Sequence, residues 1–177
     1  MLIVLGIIFL EVLGFFLFLF DGFFGKLDFA SGCWVPKQVV SIICRRNLRT
    51  ANFVDLGSGW GGFVLKIARV LPGMRVCGID DDSLRVFWAR FRAAFYKNLY
   101  FKKENIFDTD VSSADVIYVY LPQELMPALE VKLQKELKHG SLVISNSVHF
   151  GTWQPSEILI TNQNKPDFQR LFVYQII

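Results

Sequence analysis

The sequence predicts an α/β fold, a mostly parallel sheet of seven strands with a reversed last strand, preceded by an N-terminal transmembrane helix. Three observations carry this expectation. An apolar run of nineteen positions, 2–20, opens the chain and is broken only by glycines and Glu11. From Asn52 onward, apolar runs alternate with helix-spaced patterns, as in strands joined by helical crossovers. The last two runs, 158–161 and 171–176, leave no helix-length gap between them, so they read as an antiparallel hairpin closing the sheet.

With 177 residues, the chain has room for one ordinary domain and a short appendage. The expected organisation is an anchor at 1–20, a linker at 21–32 and a single domain at 33–177. The apolar share is 53%, with 18 phenylalanines, and part of it must serve something other than a core. A net charge of +3 is too mild to indicate a nucleic-acid partner. Cys33, Cys44 and Cys77 form no CxxC pair, so neither a metal site nor a disulfide framework is expected.

The opening run nearly spans a hydrocarbon core of about 30 Å. A cleaved signal peptide would have basic residues before a shorter apolar run, and none precede this one. Lys26, Lys37, Arg45, Arg46 and Arg49 all follow the run, which places the domain on the cytoplasmic face of a single-pass membrane protein. The linker mixes Gly22, Gly25 and Gly32 with Phe23, Phe24 and Phe29. Pro36 then suits the first turn of a helix carrying Val39, Val40, Ile43 and Leu48.

Residues 53–56 form the first strand, and Phe63, Ile67 and Leu71 mark a helix closed by Pro72 and Gly73. A second strand at 75–79 leads to Asp81, Asp82 and Ser83, which can cap the next helix. In that helix Leu84, Phe87, Trp88, Phe91 and Phe95 recur at helical spacing, and the stripe is expected to face the core. Strands at 100–103, 116–121 and 142–145 follow, with a helix of Leu125, Leu129, Leu133 and Leu137 before the last of them. Helices are expected between each of the first five strands.

The chemistry concentrates after the first strand. Gly57, Gly59 and Gly61 let the backbone turn sharply and approach a ligand without a Cβ in the way. Asp55, inside the strand end, would repel a pyrophosphate but suits a ligand carrying an ammonium and a sulfonium. Asp80 closes the second strand 21 residues beyond Gly59, where a carboxylate can accept from both hydroxyls of a ribose. Asn105, after the third strand, can meet an adenine edge, with Glu104 and Ile106 beside it. His139 and His149 have no metal-ligand company.

The segments Val-Asp-Leu-Gly-Ser-Gly-Trp-Gly at 54–61, Gly-Ile-Asp at 78–80, Asn105, and Ala-Asp-Val-Ile-Tyr-Val-Tyr-Leu-Pro at 114–122 resemble those of class I S-adenosylmethionine-dependent methyltransferases. The apolar start, Trp-Val-Pro at 34–36, Tyr-Leu-Pro at 120–122 and Gly-Thr-Trp-Gln-Pro at 151–155 are similar to the small membrane-anchored FAM173-type protein-lysine methyltransferases. The resemblance implies a Rossmann-like sheet and S-adenosyl-L-methionine as cofactor. It assigns the methionine part of that cofactor to the loop of Gly57, Ser58, Gly59, Trp60 and Gly61, the ribose to Asp80 and the adenine to Asn105. Tyr120, Leu121 and Pro122 would border the transferred methyl group and the incoming amine. Trp60 and Gly62 depart from the Asp and Arg usual in those relatives.

Three functions stay open at this level. The first is methylation of a lysine on a membrane-associated protein, with no nucleic acid and no metal involved. The second is methylation of a small hydrophobic or lipid acceptor. The third is a non-catalytic adenosylmethionine-binding membrane module.

Overall fold

The computed structural model describes residues 34–161 and 170–177, together with Gly6, Glu11 and Val12. The expected transmembrane helix at 2–20 and the linker at 21–32 therefore lie outside the described residues, apart from those three helical positions. Among the described residues no helix is long and apolar enough to cross a membrane.

Seven strands form one sheet: β1 (Asn52–Leu56), β2 (Arg75–Asp80), β3 (Leu99–Lys103), β4 (Val116–Val119), β5 (Leu142–Asn146), β6 (Glu157–Ile160) and β7 (Arg170–Gln175). Their spatial order is β3-β2-β1-β4-β5-β7-β6. The first five pair in parallel, whereas β7 runs antiparallel to both β5 and β6. The reversed last strand is thus inserted inside the sheet, and β6 takes the edge. Strand order reverses direction at β1 and β4, the switch point outside which open α/β sheets bind their ligands.

Four α-helices flank this sheet among the described residues: α1 (Val35–Arg45), α2 (Gly62–Val70), α3 (Ser83–Ala93) and α4 (Met126–Glu136). α1 carries Pro36 in its first turn and buries Val35, Val39, Ile42 and Ile43. These residues share one apolar cluster with Phe63, Val64 and Ile67 of α2 and Val86 and Ala89 of α3. On the other face, Met126, Leu129 and Leu133 of α4 pack with Leu56, Ile79, Ile117 and Val143 of the strands. Successive strand residues point to opposite faces, and the sheet is therefore apolar on both sides.

Two expectations need correction. The connection from β3 to β4 holds turns rather than a helix. Residues 104–115 contain Asp108, Asp110, Ser112 and Ser113, types whose side chains bond nearby backbone in place of helical ladders. Asn105 Oδ1 accepts from Phe107 N at 2.9 Å, and Asp110 Oδ1 accepts from Ser112 N at 2.9 Å.

The aromatic stripe of α3 does not face the core. Leu84, Phe87, Phe91 and Phe95 are 59%, 67%, 50% and 88% exposed, and of the stripe only Trp88 is buried. Val86, Ala89 and Ala93 fill the inward side instead. The spacing is helical, but the large residues point out and the small ones point in.

Candidate active site

The site forms where β1, β2 and β4 end. β1 stops at Leu56, and the chain turns through Gly57 at φ +84°, Gly59 at +56° and Gly61 at +84° before α2 begins at Gly62. Those left-handed values favour glycine, because a Cβ would crowd the following carbonyl. The turn is tied to β2 by the amides of Gly57 and Ser58, which donate to the Ile79 carbonyl at 2.9 and 2.8 Å.

Asp80 ends β2 with only 4% exposure. Its Oδ2 accepts from Gly59 N at 2.8 Å and its Oδ1 from Asp82 N at 3.0 Å. A carboxylate offers about four acceptor positions, so each oxygen retains capacity for a further donor. Asp82 is the N-cap of α3 and accepts from Arg85 N at 2.8 Å. That bond holds the Asp82 carboxyl below its ordinary range. Arg85 also sits 3.9 Å from Asp80.

A cavity of about 460 Å³ opens here, lined by Gly57, Asp80, Asp81, Arg85, Asn105 and Ile106 on one side and by Tyr120, Leu121, Pro122 and Leu125 on the other. Phe107 completes the wall. The volume lies within the usual range of about 300–1,000 Å³ for small-molecule sites. At Gly57, φ is +84° and a Cβ would come 2.6 Å from Leu121 Cδ2, so a larger residue would be strained and would displace the Leu121 side chain. The loop and the lip formed by Tyr120, Leu121 and Pro122 meet at this position.

A family model, the ANTKMT methyltransferase domain, matches residues 55–157, more than half of the chain and all of the cavity's walls. The chain belongs to that family. Among its relatives is an adenine nucleotide translocase lysine N-methyltransferase of Mus musculus, 28% identical over 127 residues, with 70% of this chain and 55% of the relative covered. The chain thus spans about half the length of that relative, as it does of most of the curated relatives it matches. A protein-lysine N-methyltransferase of Saccharolobus islandicus is 29% identical over 139 residues, covering 70% of this chain and 80% of its own. Among solved structures, an RNA methyltransferase from Salinibacter ruber in complex with S-adenosyl-L-homocysteine matches with a TM-score of 0.68 at 26% identity, over 79% of this chain and 90% of that one.

Within this methyltransferase domain the residues singled out from sequence divide into two groups. Gly57, Asp80, Asn105, Ile106, Tyr120, Leu121 and Pro122 line the cavity. Asp55, Ser58, Gly59, Trp60 and Gly61 stand behind it. Asp55 is 3% exposed, in register between Gly78 of β2 and Tyr118 of β4. Ser58 Oγ is buried toward Gly78, where a Cβ would approach it to 2.8 Å. Trp60 is half-buried, and its carbonyl accepts from Arg92 Nη1 at 3.1 Å. The residue that departs from the usual pattern is thereby tied to α3.

Sequence reasoning missed Arg85, Phe107 and Leu125 as wall residues and took Asp81 for a cap. A positive residue one turn into a helix that starts beside a buried carboxylate was the available signal for Arg85. Nothing in the sequence marked Phe107.

A second set of contacts ties α4 to the segment after β5. Glu130 of α4 is 5% exposed. Its carboxylate accepts from the amides of Gly151 at 3.0 Å, Thr152 at 3.2 Å and Trp153 at 2.5 Å, and from Thr152 Oγ1 at 2.6 Å. Trp153 packs on Phe150 and Tyr174, with centroids 5.5 and 5.0 Å away. Gly-Thr-Trp-Gln-Pro at 151–155 therefore has a packing role, and none of it lines the cavity. Burial works against the Glu130 charge, but the Thr152 hydroxyl and the three amides outweigh it and hold the carboxyl below its ordinary range.

A carboxyl depressed by folding stabilises the protein above its unfolded value of about 4.3, and that stabilisation is lost as pH falls through the lower folded value. Glu130→Gln is expected to cost about 2–3 kcal/mol at pH 7, since charge-assisted bonds are replaced by neutral ones and one amide loses its acceptor. The cost shrinks as pH drops through the folded value. Thermal melts of both proteins between pH 7 and about pH 3 check this, and a pH-independent difference would refute it.

Proposed function

We propose that this chain transfers a methyl group from S-adenosyl-L-methionine to a lysine amine of a membrane-associated protein. The observation that carries the reading is the placement of Gly57 and Asp80 on one wall of a single cavity and of Tyr120, Leu121 and Pro122 on the other. Membership of the methyltransferase family and two protein-lysine N-methyltransferase relatives support it. The apolar run at 2–20 supports an acceptor at a membrane, because tethering enzyme and target to one surface raises their effective concentration.

The residues present fit the cofactor. Asp80 keeps unused acceptor positions inside the cavity, suited to a pair of ribose hydroxyls. Asn105 offers an amide edge to a base, and Ile106 and Phe107 offer apolar surface to its ring. Gly57 leaves backbone bare toward the methionine part. Bound there, the cofactor supplies a methyl group already made electrophilic by its sulfonium.

The protein's task is then alignment, which can lower a barrier by about 7–11 kcal/mol. Tyr120, 38% exposed, and Pro122 form the mouth through which an extended lysine side chain would reach. Leu121 closes on Gly57 and excludes water between loop and lip. A lysine amine entering this apolar lip is favoured in its neutral, nucleophilic form, since desolvation disfavours the ammonium. None of the residues that line the cavity is a histidine, cysteine or lysine, and direct displacement of the methyl group asks for none.

The test is incubation of the purified protein and native membranes with cofactor labelled in its methyl group. Label in a protein band, on lysine after hydrolysis, is expected. Label confined to the organic extract would replace the protein acceptor with a lipid one. Cofactor binding without any labelled band would sink the protein-substrate reading.

A further inference from the structure

The outward stripe of α3 is exposed and takes no part in lining the cavity. Leu84, Phe87 and Phe91 stand on the helix face opposite Val86, Ala89 and Ala93, and Phe95 extends the stripe into the following turn. Four large apolar side chains at half exposure or more form a contiguous patch of the kind that soluble surfaces avoid. At about 100° per residue, Arg85 and Arg92 fall on one flank of the stripe and Arg90 on the other.

The charge around the patch selects its occupant. From Ser83 to Lys103 the chain carries six basic residues, Arg85, Arg90, Arg92, Lys97, Lys102 and Lys103, and no acidic one. Of these, Lys102 points to the sheet face opposite α3, since it alternates with Phe101, and the exposed Asp81 and Asp82 lie just before the helix. A second copy docked through the same patch would still set the flanking arginines of one protomer against those of the other. An anionic bilayer surface satisfies both features. Its acyl boundary accepts the aromatic rings, and its headgroups accept arginines and lysines at about 1 kcal/mol each near the surface.

Two of the arginines also tie the helix to the body of the protein. Arg90 Nε donates to the Phe101 carbonyl at 2.9 Å and Arg92 Nη1 to the Trp60 carbonyl. Their guanidinium groups are thereby drawn toward β3 and the glycine loop, which leaves the apolar crest as the most prominent surface.

We propose that α3 is an interfacial helix, with Leu84, Phe87, Phe91 and Phe95 seated at the acyl boundary of an anionic membrane and the flanking basic residues on its headgroups. Since α3 begins at the cavity wall, with Asp81 and Arg85, this contact sets the site beside the membrane surface. The proposal does not depend on methyl transfer, and its test reads contact with lipid.

The full chain carrying Phe91→Trp is combined with phosphatidylcholine vesicles, with or without about 30% phosphatidylserine, brominated on the upper acyl chain; anionic lipid strengthens basic-segment binding. The indole introduced at 91 is expected to lose about half or more of its fluorescence in anionic vesicles, measured as the difference from the parent protein. The loss is expected to fall away in neutral vesicles and in about 1 M salt, where the screening length is about 3 Å. Adding Phe87→Ser and Phe95→Ser, both at exposed positions, should abolish it without lowering the melting temperature.

Three results would overturn the proposal. One is bromine quenching no greater than in the parent protein. Another is a dimer that Phe91→Ser dissociates in the absence of lipid. The third is an indole shielded from aqueous iodide before lipid is added, which would mean that the chain's own residues cover the stripe.

Discussion

Asp80→Asn is expected to weaken S-adenosylmethionine binding about a hundredfold. The two carboxylate oxygens serve two donors at once, Gly59 N on Oδ2 and Asp82 N on Oδ1. An asparagine has a single oxygen, so its NH2 group must face one of those amides and one buried donor is left unpaired. That unpaired amide costs the fold about 1–3 kcal/mol, and the charge-assisted bonds that the carboxylate would accept from the cofactor's ribose hydroxyls are weakened by a similar amount. About 2.7 kcal/mol corresponds to a hundredfold in affinity.

Part of this loss reaches the cofactor through position rather than contact. Gly59 lies in the same turn as Gly57, which lines the cavity, and Asp82 caps the helix that supplies Arg85 to the cavity wall. Calorimetric titration with cofactor checks the affinity, and a melting curve measures how much is general destabilisation. Unchanged affinity would remove the cavity from consideration as the cofactor site.

The largest stability effect is expected at Gly78, in the middle of β2. A Cβ there would meet the Phe101 ring at 2.4 and 2.5 Å and Ser58 Oγ at 2.8 Å. The ring cannot simply retreat. It is 4% exposed, and the same Cε1 edge also faces Gly61, where a Cβ would stand 2.6 Å from Cζ and 2.9 Å from Cε1. Phe101 therefore spans two glycines, one in the strand and one in the loop.

Overpacking of a dense core costs about 1–3 kcal/mol and at times more. Gly78→Ala is placed at the upper end, with a fall in melting temperature of about 10 °C for a chain of this size. Trimming the obstruction with Phe101→Leu should recover part of the loss, so that the double substitution is less harmful than the sum of the two. Strict additivity would show that the ring is not the obstacle. Gly61→Ala adds a second fault, since φ is +84° there as well.

Much of the site was legible before any coordinates. Glycines between a strand and a helix, and an acid at the end of the next strand, sit where backbone geometry demands them. The structure puts Gly57 and Asp80 in one wall. The lip residues Tyr120, Leu121 and Pro122 were legible only through resemblance, because a Tyr-Leu-Pro segment has no periodicity of its own. β4 stops at Val119, which frees Tyr120 and Leu121 from the strand that 116–121 had implied. Glu130 gave no signal at all, since one glutamate in a helix looks like any other until Gly151, Thr152 and Trp153 come to it across the fold.

The sequence by itself determined the local elements: seven strands, the glycine turn, the acid that follows and the reversed final strand. Each follows from contacts between near neighbours or from the period of apolar residues. Which side of α3 turns inward was decided only by tertiary structure. Helical spacing states which residues share a face, and α3 has two apolar faces, one of Val86, Ala89 and Ala93 and one of Leu84, Phe87 and Phe91. Size separates them. A Cβ at Gly61 would lie 3.1 Å from Ala89 Cβ and 2.6 Å from the Phe101 ring, so the helix rests close against the loop and sheet. Only small residues fit in that space, and the larger phenylalanines are left outside.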